Sequence, residues 1–493
     1  MILKLSGHDY KYAVEQILLT LFPGEKAEYE SRIDETENYA EISLSHGAVY
    51  STAVTRLFYL GKEYRAVARG KTPPENSLEY PREMQKILKL SFYRAGILAG
   101  KKHPPWGALT GIRPGKMATK MLEAGQNEAQ IRKRFTDIFY ASKTRADLCI
   151  DTAKASISLK NRLSSKDIFL YIGIPFCPTR CSYCSFVSNS IEKSMHLIEP
   201  FLQCLEQEIN CLAEMVKTLG LTVRGVYFGG GTPTTLSTSQ LAQLMQKIHS
   251  AFDLSKVEEY TVEAGRPDTL DLEKLQMLRE MGANRISINP QTMQADVLEA
   301  IGRKHSIQQT EDALILAKKV GFPVINMDFI AGLPQDTAAG FSKSLLWGIN
   351  TGVENITVHT LARKKGTKIT EKEVTAPDGI QMEQMLDFSL TQLTQAGYQP
   401  YYLYRHKFTA GGFENIGWTK MGSESIYNIA IMEEYASIFA LGGGASTKLF
   451  DVQSGKLHRI FNPKYPLEYI GGIGRVLEKK QELIAFYKNI AEN

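Results

Sequence analysis

Ile168-Phe169-Leu170-Tyr171-Ile172-Gly173-Ile174-Pro175-Phe176-Cys177-Pro178-Thr179-Arg180-Cys181-Ser182-Tyr183-Cys184-Ser185-Phe186 is the stretch on which the reading of the chain turns. Its first seven residues read as a strand. The cysteines that follow fall in a C-x3-C-x2-C pattern. A loop with this spacing can turn three thiolates toward one point. Three ligands suit a four-iron cluster that leaves one iron free of protein. Structural zinc usually takes four ligands, and ordinary ferredoxin clusters carry a cysteine on every iron. The nearest other cysteines, Cys204 and Cys211, lie seven residues apart on the next helical segment, the spacing of a packed face. Zinc, or buried cysteines without metal, are the alternatives to a cluster at this point. Six cysteines in 493 residues, the sixth being Cys149, are no disulfide framework.

Outward from this loop, short β-rich runs alternate with helical spacing. Strands are expected at Ile168–Ile174, Thr222–Phe228, Glu258–Glu263, Arg285–Ile288, Val324–Phe329 and Asn355–His359. Between them, helices are expected at Leu197–Leu219, Ser239–Ala251, Leu272–Met281, Ile307–Val320 and Ala338–Thr351. Repeated strand–helix units predict a parallel sheet covered by helices. Six strands fall short of a complete eight-stranded barrel, so an open, partial barrel is expected.

The ends of these strands carry chemistry. The second leads into Gly229-Gly230-Gly231-Thr232-Pro233-Thr234, where consecutive glycines let a ligand approach the backbone. The third delivers Glu263 and the fourth is followed by Asn289-Pro290-Gln291-Thr292. Arg303 lies in Gly302-Arg303-Lys304-His305; the fifth strand carries Asp328 and the sixth runs through His359 to Ala362. Each alone reads equally as a surface polar group or a helix cap. Together, at successive strand ends, a carboxylate, an amide and a guanidinium face one mouth. They suit an ammonium, ribose hydroxyls and a carboxylate respectively.

The cysteine pattern resembles the motif of the radical S-adenosylmethionine (SAM) superfamily. That resemblance implies a 4Fe-4S cluster on Cys177, Cys181 and Cys184, with SAM chelated at the open iron and cleaved to a 5′-deoxyadenosyl radical. Tyr171-x-x-Ile174-Pro175-Phe176-Cys177, Gly229–Thr234, Val262-Glu263, Asn289–Thr292 and Asp328–Pro334 are similar to the oxygen-independent coproporphyrinogen III oxidases, also called coproporphyrinogen dehydrogenases. The similarity runs from about Ile168 to His458. It places SAM contacts at Tyr171, Tyr183, Gly230, Gly231, Thr232, Glu263, Gln291, Arg303, Asp328 and Ala362. Gly107–Gly115, Tyr401–Arg405 and Phe413–Gly417 resemble the HemZ-like branch. Two positions depart from established members: Phe186 stands where they have a fourth cysteine, as in haem-chaperone relatives, and Gly173 where they tend to have histidine.

The fold class implied is α/β: a partial (β/α)6 radical SAM barrel with an N-terminal α+β and helical extension and a C-terminal α+β region. The expected domains are residues 1–72 (α+β), 73–165 (helical), 166–380 (barrel) and 381–493 (substrate-covering). Strands Met1–Ser6, Glu41–Ser45, Tyr50–Leu60 and Lys62–Ala68 and a helix within His8–Phe22 fill the first; a helix from Gln381 to Ala396, a Tyr-rich segment and Gly-rich turns fill the last. The C-terminal aromatics Tyr398, Tyr401, Tyr402, Tyr404 and Trp418 read either as the wall of a tetrapyrrole pocket or as packing. Arg405 and Lys407 are candidate partners for substrate carboxylates; His359, His406 and His458 are weak haem-ligand candidates; Arg113 and Lys116 read as anion contacts or a solvated helix start.

The resemblance implies oxidative decarboxylation of coproporphyrinogen III propionates to vinyl groups, giving protoporphyrinogen IX. The alternatives are a haem-binding chaperone and radical chemistry on haem itself. The implied partners are a tetrapyrrole and an electron donor such as flavodoxin or ferredoxin. With 58 Lys+Arg against 53 Asp+Glu and no concentrated basic run, a nucleic-acid partner is not expected. No apolar stretch reaches the roughly 18 residues of a membrane helix. Met1–Asp9 turns polar too early for a signal peptide, so a cytoplasmic protein is expected.

Overall fold

In the computed structural model, which describes residues 1–29, 38–186, 188–362, 377–406, 412–452 and 454–492, the alternating N-terminal pattern folds as strands. β1 (Ile2–Ser6) lies parallel to β2 (Tyr39–Ser45), and β2, β3 (Tyr50–Tyr59) and β4 (Lys62–Lys71) form an antiparallel meander. β3 and β4 join at Leu60-Gly61, both at positive φ (50° and 75°), the backbone that a two-residue hairpin turn demands. One face of this four-stranded sheet is covered by helices Lys11–Leu21 and Glu79–Leu98. Val14, Ile17, Leu57, Ile87 and Phe92 meet in the core between them.

The chain divides into two units: Met1–Ala153 with Leu403–Glu414, and Lys154–Tyr402 with Asn415–Asn493. The second is built on an eleven-stranded sheet. Its parallel strands begin with β5 (Asp167–Ile174). Two short strands inside the cysteine segment, β6 (Phe176–Cys177) and β7 (Asn189–Ser190), pair with each other instead. The large sheet continues with β8 (Thr222–Gly230), β9 (Glu259–Glu263), β10 (Arg285–Ser287), β11 (Val324–Ala331) and β12 (Asn355–Thr360), each parallel to the one before. All six expected strands are present. Beyond β12 lie β13 (Gln399–Arg405) and β14 (Glu414–Thr419), with β14 antiparallel to β12.

On the other edge the structure adds a strand where only Gly-rich turns were expected. β15 (Ser437–Gly442) runs parallel to β5, and antiparallel β16 (Ser446–Phe450) and β17 (Leu457–Phe461) follow it. All six residues of β15 are buried, so its sequence shows no alternation, and the adjoining Gly442-Gly443-Gly444 biases the reading toward a turn.

The connecting helices have the start signals such crossovers need. Ser237 with Gln240 and Ser306 with Gln309 form capping boxes that satisfy the first free N–H groups. Helix Ile198–Leu219 ends at Gly220 in the left-handed conformation and buries Phe201, Leu205, Ile209 and Leu212.

Glu208 of that helix is fully buried beside β15. Its carboxylate accepts from Gly442 N (2.8 Å), Asn462 Nδ2 (2.8 Å) and Tyr469 OH (2.6 Å), and pairs with Lys480 Nζ at 2.9 Å. Lys480 also donates to Ala440 O at 2.6 Å. Every lone pair of this buried charge is matched, which is the condition for tolerating it. Lys480→Met should therefore lower the unfolding free energy by about 3–5 kcal/mol, because it strands the carboxylate. Urea unfolding of the second unit's transition checks this, and a loss under ~1 kcal/mol would show that the pair is not what holds β15.

Candidate functional site

The parallel register places like residues side by side. Tyr171 of β5 pairs with Tyr227 of β8, and Gly173 with Gly229. Glu263 of β9 pairs with Ser287 of β10, which pairs with Asn326 of β11; Asp328 pairs with Thr357 of β12. Neighbours in register point to the same face. One face of the sheet thus carries a continuous polar row toward the strand ends, where open α/β sheets bind ligands.

The cysteine segment sits against the second strand's end. Gly231 N donates to Ile174 O (2.8 Å) and Thr232 N to Phe176 O (2.7 Å). A Cβ on Gly231 would lie 2.5 Å from Phe176 O and 3.0 Å from Cys177 Sγ, so no other residue fits without moving the loop. Thr232 Oγ1 contacts Cys177 Sγ at 3.5 Å. Further along, Cys184 N donates to Cys181 O (3.2 Å) and Ser182 N to Ile301 O (3.0 Å). The buried Arg266 holds Thr179 Oγ1 at 2.8 Å. Cys177, Cys181 and Cys184 are free thiols, each half-buried. Burial raises Cys177, and it raises Cys184 to about 11, with Cys181 and Cys177 adding to the effect.

Glu263 and Tyr227 form the core of the polar row. Tyr227 OH donates to Glu263 Oε1 at 2.5 Å. Burial raises the Glu263 carboxyl to about 7; the Tyr227 hydrogen bond opposes this and Asp328 reinforces it. Asp328 ends on the other side of its usual range. Burial pushes it up, but His359, Asn326 and Thr357 overcome that, with His359 Nε2 at 3.7 Å and Asn326 Nδ2 at 2.8 Å. Gln291 is in the left-handed region (φ 68°) and is clamped there: its N donates to Asp328 O (2.9 Å) and its O accepts from Ile330 N (3.0 Å). Its Oε1 is buried with no hydrogen-bond partner among the described residues.

Arg303 is buried. Its Nη1 donates to Asn289 O (2.5 Å) and Nη2 to Gly265 O (2.9 Å), while Nε has no partner among the described residues. Burial opposes its charge, but Tyr183 and Cys181 beside it hold the guanidinium protonated. Burial and the nearby Arg303 depress the buried His305 to about 3, so it is neutral. Ala362 follows β12 and is half-buried; Leu361 N bonds Ala331 O at 2.9 Å.

Residues that sequence reasoning passed over also stand here. Tyr427 stacks on Tyr227 with ring centroids 4.3 Å apart and on Tyr171 at 6.4 Å. Asn326 donates to Ser287 Oγ and to Asp328 Oδ1 and accepts from Thr357 Oγ1, which ties these groups to Asp328. Asn326 and Tyr227 lie within expected strands and in register with Ser287 and Tyr171. Tyr427 is in the C-terminal helix Ile426–Glu433 and has no local signal.

Other candidates fall elsewhere. Tyr398, Tyr401, Tyr402 and Trp418 are buried core side chains, and Tyr404 is half-buried. Arg405 is buried and committed to the carbonyls of Leu109 and Gly412, with its guanidinium 5.0 Å over Trp106; burial draws it down to about 10. It is no substrate clamp. Lys407 lies outside the described residues. His458 is exposed and pairs with Glu482 at 3.0 Å, and His406 packs edge-on against Tyr404. A Cβ on Gly173 would lie 3.2 Å from Gly443 O and 3.3 Å from Leu441 O, a tight approach to the turn after β15. Phe186 is 68% exposed.

Residues 171–347 match the model of the radical SAM superfamily. The chain is 37% identical over 370 residues to the oxygen-independent coproporphyrinogen-III oxidase-like protein HemZ of Bacillus subtilis, covering 74% of each. The chain belongs to this HemZ-like radical SAM family. Heme chaperone HemW of Bacillus subtilis is 32% identical over 283 residues, 56% of this chain and 69% of HemW. The fold is that of the Escherichia coli coproporphyrinogen III oxidase HemN, with a TM-score of 0.53 and 23% identity over 65% of this chain and 72% of that one.

This family carries a 4Fe-4S cluster and SAM, and the residues present fit both. The donor set in the loop is all thiol, as an iron–sulfur cluster needs. The side-chain-free face of Gly231 lies against Cys177, and Arg303, with its free Nε, stands beside Tyr183 and Cys181.

Glu263 also makes a prediction. In the ligand-free protein its folded carboxyl is near 7 and its ordinary value is 4.5. The folded state therefore holds the extra proton between these values, and stability falls as pH rises through that window. Glu263→Gln cannot titrate. The stability of the parent minus that of the variant should decline from about pH 4.5 to about pH 7 and be flat outside it, measured by urea unfolding at fixed pH. A difference that does not vary with pH would mean an ordinary carboxyl.

Proposed function

We propose that this chain is a radical SAM oxidoreductase that converts propionate side chains of coproporphyrinogen III to vinyl groups with loss of CO2, yielding protoporphyrinogen IX. The observation that carries the reading is the joining of the three-thiol loop to the polar row at Gly231, in a chain whose HemZ relative is named for coproporphyrinogen oxidation. When bound, the cluster and SAM supply a low-potential electron and a hydrogen-abstracting radical.

The protein's own residues hold and shield. Cys177, Cys181 and Cys184 would ligate iron. Glu263, kept in place by Tyr227, would accept from the ammonium of SAM as a carboxylate, the cation offsetting the burial that otherwise raises its carboxyl. Gln291 Oε1 and Asp328 would receive ribose hydroxyls. Arg303 Nε would face a carboxylate, with its guanidinium beside Cys181. Gly230, Gly231 and Thr232 offer backbone, Tyr171 and Tyr183 wall the site, and Ala362 lines its far edge. The electron donor proposed is a flavodoxin or ferredoxin. A second reading, haem delivery, has specific support: the HemW relative, and Phe186 in place of the fourth cysteine.

Anaerobic protein, reconstituted with iron and sulfide, is incubated with SAM, reductant and coproporphyrinogen III, and products are read by mass spectrometry. Vinyl products with 5′-deoxyadenosine are expected. SAM cleavage without CO2 release, with stoichiometric haem binding, would transfer the reading to haem handling. Alanine at Cys177, Cys181 or Cys184 should each remove most of the cluster's visible absorbance and iron, whereas Cys149, Cys204 and Cys211 should be dispensable for it. Glu263→Ala and Arg303→Ala should keep the cluster and weaken SAM binding by about tenfold or more. Unchanged SAM affinity in both would remove these residues from the site.

A further inference from the structure

The first unit has a cavity of its own, of about 620 Å³, lined by helix Glu79–Leu98 and by residues between Ala108 and Phe139. This is the size of a small-molecule site. Leu90, Leu109, Met117 and Phe139 give it an apolar wall. Its charge is one-sided: Arg82, Lys86, Lys89, Lys120 and Arg134 face only Glu79 and Glu83. Glu83 is taken by Lys86 at 2.6 Å, and Glu79 sits in the first turn of its helix, where a carboxylate offsets the free amide ends. Arg82, Lys89, Lys120 and Arg134 have no ion-pair partner among the described residues.

Two groups inside the cavity are unmatched. The Thr110 hydroxyl is buried with no hydrogen-bond partner among the described residues. Lys89 is half-buried, and burial, with Arg405 nearby, lowers its ammonium to about 8. Folded proteins seldom leave either group in this condition. One kind of ligand satisfies both the wall and the charge.

We propose that this cavity binds a small amphipathic anion, an apolar ring body bearing acidic groups, with Lys89 and Thr110 Oγ1 at its inner end and the exposed Lys120, Arg134 and Arg82 around its rim. The apolar body covers Leu109 and Phe139. The acid displaces no existing salt bridge, because the inner lysine has none among the described residues. The site is independent of SAM chemistry in the second unit. Two sources share this ligand chemistry: a tetrapyrrole with several propionates, and a smaller aromatic acid.

The test uses the full-length, cluster-loaded protein. 1-Anilinonaphthalene-8-sulfonate is titrated in and read by fluorescence, with coproporphyrin III as competitor. Saturable binding is expected. Lys89→Met and the double variant Lys120→Met/Arg134→Met should each raise the dissociation constant about tenfold, with SAM cleavage unchanged. Displacement by coproporphyrin III assigns the site to a tetrapyrrole; failure to displace assigns it to the smaller acid, and either keeps the proposal. Lys89→Arg retains the charge and should retain affinity. If it loses as much as Lys89→Met, or if probe affinity is the same in every variant, the cavity is not an anion site and the proposal falls.

Discussion

The contact between the glycine turn after β8 and the cysteine loop after β5 is the constraint on which the site depends. Two adjacent parallel strands end together, and their continuations must cross within hydrogen-bonding distance: Gly231 N to Ile174 O, Thr232 N to Phe176 O. At 2.5 Å from Phe176 O there is no volume for a methyl group on Gly231. The backbone that binds the loop is therefore also the backbone left bare beside Cys177. Anchoring on the other side comes from Ser182 N on Ile301 O and from Arg266 on Thr179. A three-thiol loop is thus tied to three different strand–helix connections, which is how a flexible sequence of small and polar residues acquires a defined shape.

Electrostatics follows from that geometry. Asp328 is close enough to bear on the proton of Glu263, and the protein treats the two carboxyls differently. Asp328 is surrounded by donors from β11 and β12 and stays ionised, while Glu263 has one phenol and a buried setting and is held near neutrality. A cationic ligand group arriving at Glu263 is then met by a carboxyl poised to lose its proton, next to a carboxylate already charged. Arg303 plays the opposite part beside Cys181, its two outer nitrogens fixed by backbone carbonyls so that its position does not depend on a ligand.

Gly107–Gly115, Tyr401–Arg405 and Phe413–Gly417 have a different role from the cysteine loop and the polar strand ends. Arg405 N bonds Ile112 O at 2.7 Å, its guanidinium reaches Leu109 O, and Trp106 Nε1 donates to Glu414 Oε2 at 2.6 Å. Tyr- and Arg-rich sequence, which invites a reading as a porphyrin wall, is here a buried clamp between two stretches of the first unit. An arginine in an aromatic setting serves packing as readily as recognition, and composition does not distinguish them.

What the sequence by itself determined was whatever depends on short-range spacing. The C-x3-C-x2-C loop, the glycine run and the strand–helix alternation are local patterns, and Glu263 at the end of β9, Asp328 within β11 and Arg303 after helix Ala295–Ala300 were legible because they lie in or beside them. Tertiary structure alone decided what depends on partners far along the chain. β15 shows no alternation because both its faces are buried. Tyr427 reaches Tyr227 from 200 residues away. A side chain at Gly173 would crowd the carbonyls of Leu441 and Gly443, which come from the far end of the chain. The pairing of Glu208 with Lys480, and the commitment of Arg405 to backbone carbonyls, depend on which groups burial brings together, and burial is a property of the packed chain rather than of any window of it.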